Sequence, residues 1–376
     1  MKKLVLVGGS NGLGFSILKK VKKDYGRILI YDVKKPLEEL GGVEFVECDL
    51  SKNPKICFEE IKDANALIIT AGFGVVKPFE DYSKTEIRKS FMVNAVSPIQ
   101  YLRVFYPRLL SKDDVKCFVA GSIAGEVASP LFSVYGAAKA SINKVCESLN
   151  TELEMSGSKN RITCMVAVSF KGSSFSGGKT DLNELDNISN TCIEAMNNKQ
   201  AKAYIDEQLC LDIVSRYNAD REGFAKSSYE YKVNNNRITK NKKGIVVGYL
   251  SGTFDLFHIG HLNLLRKAKE QCDYLIVGVH ESGAWKGKET FIPFEERKAI
   301  VGACQYVDEV HASFVEDSDA WDAYHYDKLF VGSDYKGTER FARYEEYFKD
   351  KGVEIVYFPY TQGTSSTQLR EKLSKK

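Results

Sequence analysis

The feature that most restricts the fold of this chain is a rhythm. Short continuous apolar runs, "LVLVG", "ILIYD", "ALIITAG", "KCFVAGS" and "ITCMVAVS", alternate with helix-like stretches up to about residue 170. A strand that is apolar along its whole length must be covered on both faces, and helical crossovers between such strands supply the cover. The rhythm therefore predicts βαβ units around a parallel sheet. It then breaks. "EYKVNNNRITKNKKG", Glu230 to Gly244, is rich in Asn and Lys and nearly free of large apolar residues, so it reads as an exposed linker. A second series follows: "IVVGYL", "YLIVGVH", "EVHAS", "KLFVGSD" and "EIVYFP". A length of 376 residues also suggests two domains. The expectation is two doubly wound α/β domains in tandem, residues 1–236 and 244–376, joined by a linker at 237–243.

The first series opens on "LVLVGGSNGLGFSILKK", a strand, a glycine turn and a helix. Gly8, Gly12 and Gly14 are spaced G-x-x-x-G-x-G, with Ser10, Asn11 and Leu13 between them. Missing side chains let the backbone turn sharply and approach a pyrophosphate, whose charge sits at the helix N-terminus. Such a turn alone also occurs as a plain strand–helix connection. The next strand ends in Asp32, about 20 residues past the loop. A carboxylate there accepts hydrogen bonds from a ribose diol and repels a 2′-phosphate, favouring NAD over NADP, although Lys34 and Lys35 follow closely and offer charge to a phosphate.

"GSIAG" carries Ser122, and "YGAAK" carries Tyr135 and Lys139. Helical positions four apart share a face, so Lys139 reaches the space beside the Tyr135 phenol. A nearby ammonium favours phenolate and draws the phenol pKa towards working pH, which suits a general acid–base. Ser122 is placed to hydrogen-bond a substrate carbonyl. A lone Y-x-x-x-K is usually an exposed helical pair. The glycine loop, Asp32 and Ser122 together outweigh that reading.

With these residues in place, the first 180 or so positions resemble the short-chain dehydrogenase/reductase family. The likeness covers the glycine loop, Asp32, Asp49-Leu50, "TAG" with Ala71 and Gly72, Asn94 in "FMVNAVSP", Ser122, Tyr135 and Lys139. It implies a nicotinamide cofactor, NAD or NADP, held along the glycine loop, Asp32, Asp49, Leu50, Ala71 and Gly72. It also implies that Asn94 holds a water in a proton relay to Lys139, and that the protein forms dimers or tetramers. Three departures stand out: Val7 replaces the usual threonine before the first loop glycine, Ile69 and Thr70 replace the first asparagines of N-N-A-G, and "VAVSFKGSSFSGG" lacks the usual Pro-Gly and following threonine.

The second series carries two of the five histidines of the chain, His258 and His261, in "GTFDLFHIGHLNLLRKAKE". Gly260 between them admits close approach to the backbone. Two imidazoles and free amides at a helix N-terminus suit an anion that gains charge. No Cys and few carboxylates stand near, and the Glu of a metalloprotease motif is missing, so no protein-held metal is expected.

From about Lys243 onwards the sequence resembles the cytidylyltransferases of the nucleotidyltransferase superfamily, above all the glycerol-3-phosphate cytidylyltransferase type. The likeness includes Gly252, Thr253, Phe254 and Asp255, the histidine pair, Lys286 and Lys288, "ERKAIV" with Arg297, "FVGSDYKG" with Asp334, and "GTSSTQL" with Ser365, Ser366 and Thr367. It implies attack by a substrate phosphate on the α-phosphorus of CTP, with magnesium bridging the β- and γ-phosphates. His258 and His261 then stabilise the transition state, Lys286, Lys288 and Arg297 hold phosphates, and the Ser-Ser-Thr run donates to the triphosphate. Tyr360 in "YTQG" stands where the family has an arginine, which loosens the choice of CTP over ATP.

Both α/β series thus read as Rossmann-like domains. A net charge of +3 gives no support for nucleic-acid binding. No apolar run approaches the ~20 residues of a membrane helix, and the basic, apolar N-terminus is too short and glycine-interrupted for a leader. Nine scattered cysteines without metal spacing suit reduced thiols, so a cytoplasmic setting is expected. The functional expectation is a bifunctional enzyme. It reduces a keto- or aldo-sugar phosphate with NAD(P)H and transfers CMP to the alditol phosphate, for cell-surface polymer synthesis. The alternative is a cytidylyltransferase alone, with a non-catalytic dehydrogenase-like module for oligomerisation or sensing.

Overall fold

In the computed structural model, seven parallel strands form the N-terminal sheet: β1 (Lys3–Val7), β2 (Arg27–Asp32), β3 (Val43–Glu47), β4 (Ala66–Ile69), β5 (Lys116–Val119), β6 (Ile162–Ala167) and β7 (Lys202–Ile205). Their order is β3-β2-β1-β4-β5-β6-β7. The structure describes residues 1–52, 58–173, 175, 179–235, 237–238, 246–283, 289–359 and 369. Alternate residues of β1 serve opposite cores: Val5 and Val7 pack with Tyr101 and Phe105, Leu4 and Leu6 with Phe15 and Ile17. Covering both faces is what made the strands legible as unbroken apolar runs. The chain leaves β1 for β2 on one side and returns to β4 on the other. The loops after β1 and β4 therefore flank the switch point, where open parallel sheets bind ligands.

A second sheet holds β8 (Val247–Gly252), β9 (Tyr274–Val279), β10 (Glu309–Ala312), β11 (Lys328–Gly332) and β12 (Glu354–Phe358), all parallel, in the order β10-β9-β8-β11-β12. Its switch point lies between β8 and β11, so the loop after β8, with the histidines, faces the same crevice as the turn after β11, with Asp334. Its two faces have their own cores, one around Leu250, Val277 and Phe330, the other around Tyr249, Tyr326 and Phe348. The chain thus folds as two Rossmann-like α/β sheets in tandem. By contacts the units are Met1–Glu80 with Glu86–Lys240, and Asp81–Thr85 with Asn241–Lys376.

Four elements go beyond the sequence reading. β7 and the helices Asp186–Asn197, Glu207–Ala219 and Arg221–Asn234 fill a region that carried no assignment. The last helix, capped by Asp220 onto the Gly223 N–H at 2.9 Å, runs through Asn234, so Glu230–Asn234 of the supposed linker are helical. Its polar composition misled because this helix buries no residue fully. Among the described residues no helix is long and apolar enough to cross a membrane, and no group of three or more His, Cys, Asp or Glu side chains is arranged to hold a metal ion.

Two candidate active sites

At the end of β1 the backbone must pass close to β4. Gly8 has φ +86°, and a Cβ there would lie 2.4 Å from the Ala71 nitrogen. Gly14 is equally enclosed, its added Cβ meeting the Gly8 carbonyl and the Thr70 hydroxyl at 2.3 Å. That hydroxyl donates to the Gly8 carbonyl at 2.8 Å, so Thr70 ties the two loops together although it departs from the family asparagine. Gly12 differs: at φ +52° a Cβ would meet only Ser173, at 3.9 Å, so open space lies over its backbone. Its N–H donates to the Thr180 hydroxyl, 3.2 Å away, from the segment after β6. The Ser10 side chain is 1% exposed, yet its hydroxyl has no partner. An open glycine cradle beside an orphaned buried hydroxyl fits a pyrophosphate. Leu13 points into the core, leaving only its backbone to the loop. Asn11 caps the helix Gly12–Val21 without a side-chain bond.

Asp32 ends β2 and accepts from the Ser10 and Val33 N–H groups, at 3.0 and 2.7 Å. It thus both braces the glycine loop and presents a carboxylate where a ribose would lie. Asp49 accepts from the Ser51 N–H and hydroxyl, and Leu50 is buried with its carbonyl held by Ser97.

Tyr135 and Lys139 stand one turn apart on the helix Ser133–Met155, 6% and 3% exposed. The Tyr135 phenol lies near enough to the Ser122 hydroxyl to be influenced by it electrostatically, and Ser122 Oγ accepts from the Ala124 N–H at 3.1 Å. Phe132 stacks on the Tyr135 ring at 4.3 Å, and Phe175 meets it edge-on at 5.2 Å. The Lys139 ammonium donates to the Ala120 carbonyl at 2.6 Å and lies 5.8 Å from the phenol ring centre. Gly72 closes the group: a Cβ there would stand 3.0 Å from Asn94 Oδ1 and 3.4 Å from Lys139 Nζ.

The electrostatics correct one expectation. Burial pushes the phenol up to about 12 instead of down, with the Ser122 hydroxyl opposing only in part. Burial likewise lowers Lys139 to about 8. In the protein alone, desolvation of the charged forms is the largest cause of both shifts. The phenol is therefore a proton donor at neutral pH.

Asn94 occupies a single wide π-turn, Met92–Val96, a local form that often marks functional sites. Its amide is fully buried, donating to the Phe73 and Ser90 carbonyls and accepting from the Phe73 N–H. Sequence reading overlooked Asn143, which donates to the Ser122 carbonyl at 2.9 Å. A signal was present: Tyr135, Lys139, Asn143 and Asn150 mark one buried stripe along that helix.

In the second unit the turn after β8 is strained. Phe254 and Leu256 take φ +53° and +49°, a region bulky side chains rarely adopt. The Phe254 ring packs under Gly252 and lies 5.3 Å from His261. The two histidines cap their own helix, Ile259–Lys269: His258 Nδ1 accepts from the Gly260 N–H at 3.0 Å, and His261 Nδ1 from the His258 N–H at 3.4 Å. Their rings stack at 4.0 Å. Burial lowers both pKa values, that of His261 to about 4. A neutral imidazole that accepts at Nδ1 carries its proton at Nε2. In both rings the proton therefore sits on Nε2.

These shifts make a stability prediction. His261 binds its proton less readily folded, at about 4, than at its ordinary value of 6.5. Between those values the unfolded chain holds more protons, so stability falls as pH drops through the window. The melting temperature of the second unit should decline more steeply there in the wild type than in His261→Gln. Equal slopes would remove His261 as the cause.

Arg297 is the clearest correction. In place of an open position from which to hold phosphates, it has a buried one, 0% exposed. Its guanidinium donates to the main-chain carbonyls of Thr253, His280, Glu281 and Ile292. Asp255 works alongside it, accepting from the Phe291 and Ile292 N–H groups at 3.0–3.1 Å. Together they lock the loops after β8 and β9 to residues 291–292. Arg297→Met should cost about 3 kcal/mol or more, since it strands several buried carbonyls. Urea unfolding followed by tryptophan fluorescence would read this, because both tryptophans, Trp285 and Trp321, fall in the C-terminal half. Gly252 and Thr253 end β8 and begin the turn, and Asp334 is exposed after β11. Lys286, Lys288, Ser365, Ser366 and Thr367 lie outside the described residues, as does Tyr360.

Comparison with known proteins gives a matching answer for each half. Residues 2–170 match the short chain dehydrogenase family, and residues 249–372 match the cytidylyltransferase-like family. Glycerol-3-phosphate cytidylyltransferase of Bacillus subtilis is 35% identical over 127 residues, covering 33% of this chain and 93% of that protein. An uncharacterised oxidoreductase of Saccharomyces cerevisiae is 30% identical over 176 residues, 40% of this chain and 69% of the relative. A solved short chain dehydrogenase from Burkholderia cenocepacia, in complex with NADP, superposes with a TM-score of 0.50 at 20% identity, covering 61% of this chain and 99% of that one. The chain belongs to both families: it is an enzyme in which a short-chain dehydrogenase domain is fused to a cytidylyltransferase related to the glycerol-3-phosphate enzymes.

Proposed function

We propose that the enzyme reduces a keto- or aldo-sugar phosphate to an alditol phosphate and then transfers CMP from CTP to that phosphate, giving a CDP-alditol such as CDP-ribitol or CDP-glycerol for a cell-surface polymer. The observation that carries this reading is a buried, protonated Tyr135 beside Ser122, on the same chain as a histidine pair whose Nδ1 atoms both accept from the main chain. A reduced nicotinamide, when bound, supplies the hydride that reaches the carbonyl carbon. Tyr135 gives its phenolic proton to the carbonyl oxygen, and Ser122 orients that oxygen. Lys139 and Asn94, which both border Gly72, lie on the path by which the phenol regains a proton. Gly8, Gly12 and Gly14 would cradle the pyrophosphate, with Asp49, Leu50 and Ala71 around the remaining nucleotide.

In the second unit an oxygen of the alditol phosphate attacks the α-phosphorus of CTP, the bond to the β-phosphate breaks, and pyrophosphate leaves. The Nε2–H groups of His258 and His261 donate to oxygens that gain charge as phosphorus becomes five-coordinate. Magnesium accompanies the triphosphate. Lys286, Lys288 and the Ser365–Thr367 run complete the phosphate contacts in this reading, and Asp334 flanks the nucleotide across the switch point.

The test is a paired assay on purified protein with a panel of three- to six-carbon sugar phosphates. NADH loss should occur with one of them, and pyrophosphate release with CTP should require its reduced product. Pyrophosphate release from a ready-made alditol phosphate, with no carbonyl consuming NADH or NADPH, would refute the reductase assignment. Asp32 favours NAD in this reading. Asp32→Ala should therefore shift the kcat/KM ratio of NADH over NADPH towards NADPH by about tenfold or more; an unchanged ratio would show that Asp32 only braces the loop.

A further inference from the structure

The turn that precedes Tyr135 is braced by two buried or half-buried lysines in very different electrostatic settings. On one side, Lys77 donates its N–H to the Leu131 carbonyl, and its ammonium pairs with both oxygens of Glu86 at 2.7 Å. On the other side, Lys232, from the helix Arg221–Asn234, reaches Ser129 Oγ at 2.9 Å, the Pro130 carbonyl at 2.7 Å and Ser228 Oγ at 3.1 Å. Those three oxygens use all three of its donors and neutralise none of its charge. Burial, then the nearby Arg237, lowers Lys232 to about 8.

Arg237 lies just past that helix, its N–H on the Lys232 carbonyl at 3.0 Å and its guanidinium 4.8 Å from the Tyr231 ring centre. Among the described residues neither cation pairs with a carboxylate, and the sequence from 236 to 245 contains no Asp or Glu. Two like charges that feel each other without a counter-ion raise the energy of the protein, and an anion would lower it. Donors are also at hand. Ser129 and Ser228 accept from Lys232, so each keeps its own hydroxyl hydrogen to give. Arg237 offers a planar fork that suits phosphate.

The location fits the chemistry. Ser129 packs against Gly136, where an added Cβ would meet Ser129 Cβ at 3.9 Å, and Gly136 adjoins Tyr135. The Phe132 N–H returns to the Ser129 carbonyl at 3.0 Å, and Phe132 stacks on the Tyr135 ring. In a three- to five-carbon sugar phosphate only a few bonds separate carbonyl and phosphate. We propose that the Arg237 guanidinium and the Ser129 and Ser228 hydroxyls, beside the uncompensated charge of Lys232, bind the phosphate monoester of the carbonyl substrate and make the reductase selective for phosphorylated sugars. This rests on the reading that the reductase substrate is a sugar phosphate.

The test uses the full chain and compares Arg237→Gln with Arg237→Lys, since Arg237 is exposed and its replacement should spare the fold. The wild type should prefer a ketose phosphate over its unphosphorylated parent, as with dihydroxyacetone phosphate against dihydroxyacetone or ribulose 5-phosphate against ribulose. In Arg237→Gln that preference, as a ratio of kcat/KM values, should fall about tenfold or more, and Arg237→Lys should regain part of it. A preference untouched by Arg237→Gln would overturn the site and leave the sugar phosphate reading standing. A wild type indifferent to phosphorylation would sink that reading instead. The site itself would then be judged by inorganic phosphate binding, followed by isothermal titration. Binding that is weakened in Arg237→Gln upholds a phosphate site, and equal or absent binding in both proteins removes it.

Discussion

Replacing Tyr135 by Phe should lower carbonyl-dependent NADH oxidation by about a thousandfold while pyrophosphate release from CTP and an alditol phosphate continues. The substitution removes one hydroxyl and keeps a ring that stacks on Phe132 at 4.3 Å and meets Phe175 at 5.2 Å, so the aromatic wall should survive. The lost atom is the proton donor itself. With the phenol held up at about 12 by burial, its protonated form dominates through neutral pH, and reduction, which consumes a proton at the substrate oxygen, is the direction it favours. Reduction undiminished in Tyr135→Phe for every accepted carbonyl would overturn the assignment of this residue.

Removing the histidine donors should produce the mirror image. His258→Ala is expected to slow pyrophosphate release by about a hundredfold to a thousandfold, the usual cost of one preorganised donor to a charged transition state, with carbonyl reduction unaffected. His261→Ala should cost at least as much, because the His261 ring also accepts the His258 N–H and packs beside Phe254. The measurement is kcat for pyrophosphate formation at saturating CTP. A His258→Ala protein that keeps more than about a tenth of that rate would show that the transition-state charge is met elsewhere.

The fold was legible where burial on both faces turned strands into unbroken apolar runs, as at Leu4–Val7 and Leu275–Val279. It was not legible at β7, four residues with only Ala203 buried, nor in the helix Arg221–Asn234, which buries no residue fully. Chemistry carried by side chains at fixed spacing was visible: Tyr135 with Lys139, and His258 with His261. Chemistry carried by the main chain was not. Nothing in "ERKAIV" announces that Arg297 ends on carbonyls from residues 253, 280, 281 and 292, because those partners are peptide groups common to every sequence. Lys232 escaped for a related reason: its partners lie about a hundred residues earlier and are neutral.

The bonds of Arg297 also bear on how genetic data for such an enzyme should be interpreted. A screen for lost CTP turnover would rank this arginine beside the histidines, and its positive charge would invite the conclusion that it grips the triphosphate. Its guanidinium lies inside the protein, fastening the turn after β8, the loop after β9 and the stretch at Ile292 to one another. Substituting it would resemble loosening a hinge pin: affinity for nucleotide, turnover and thermal tolerance would decline together. Compensating changes would then be sought among loop residues that stiffen the same turns, not among new cations near the phosphates.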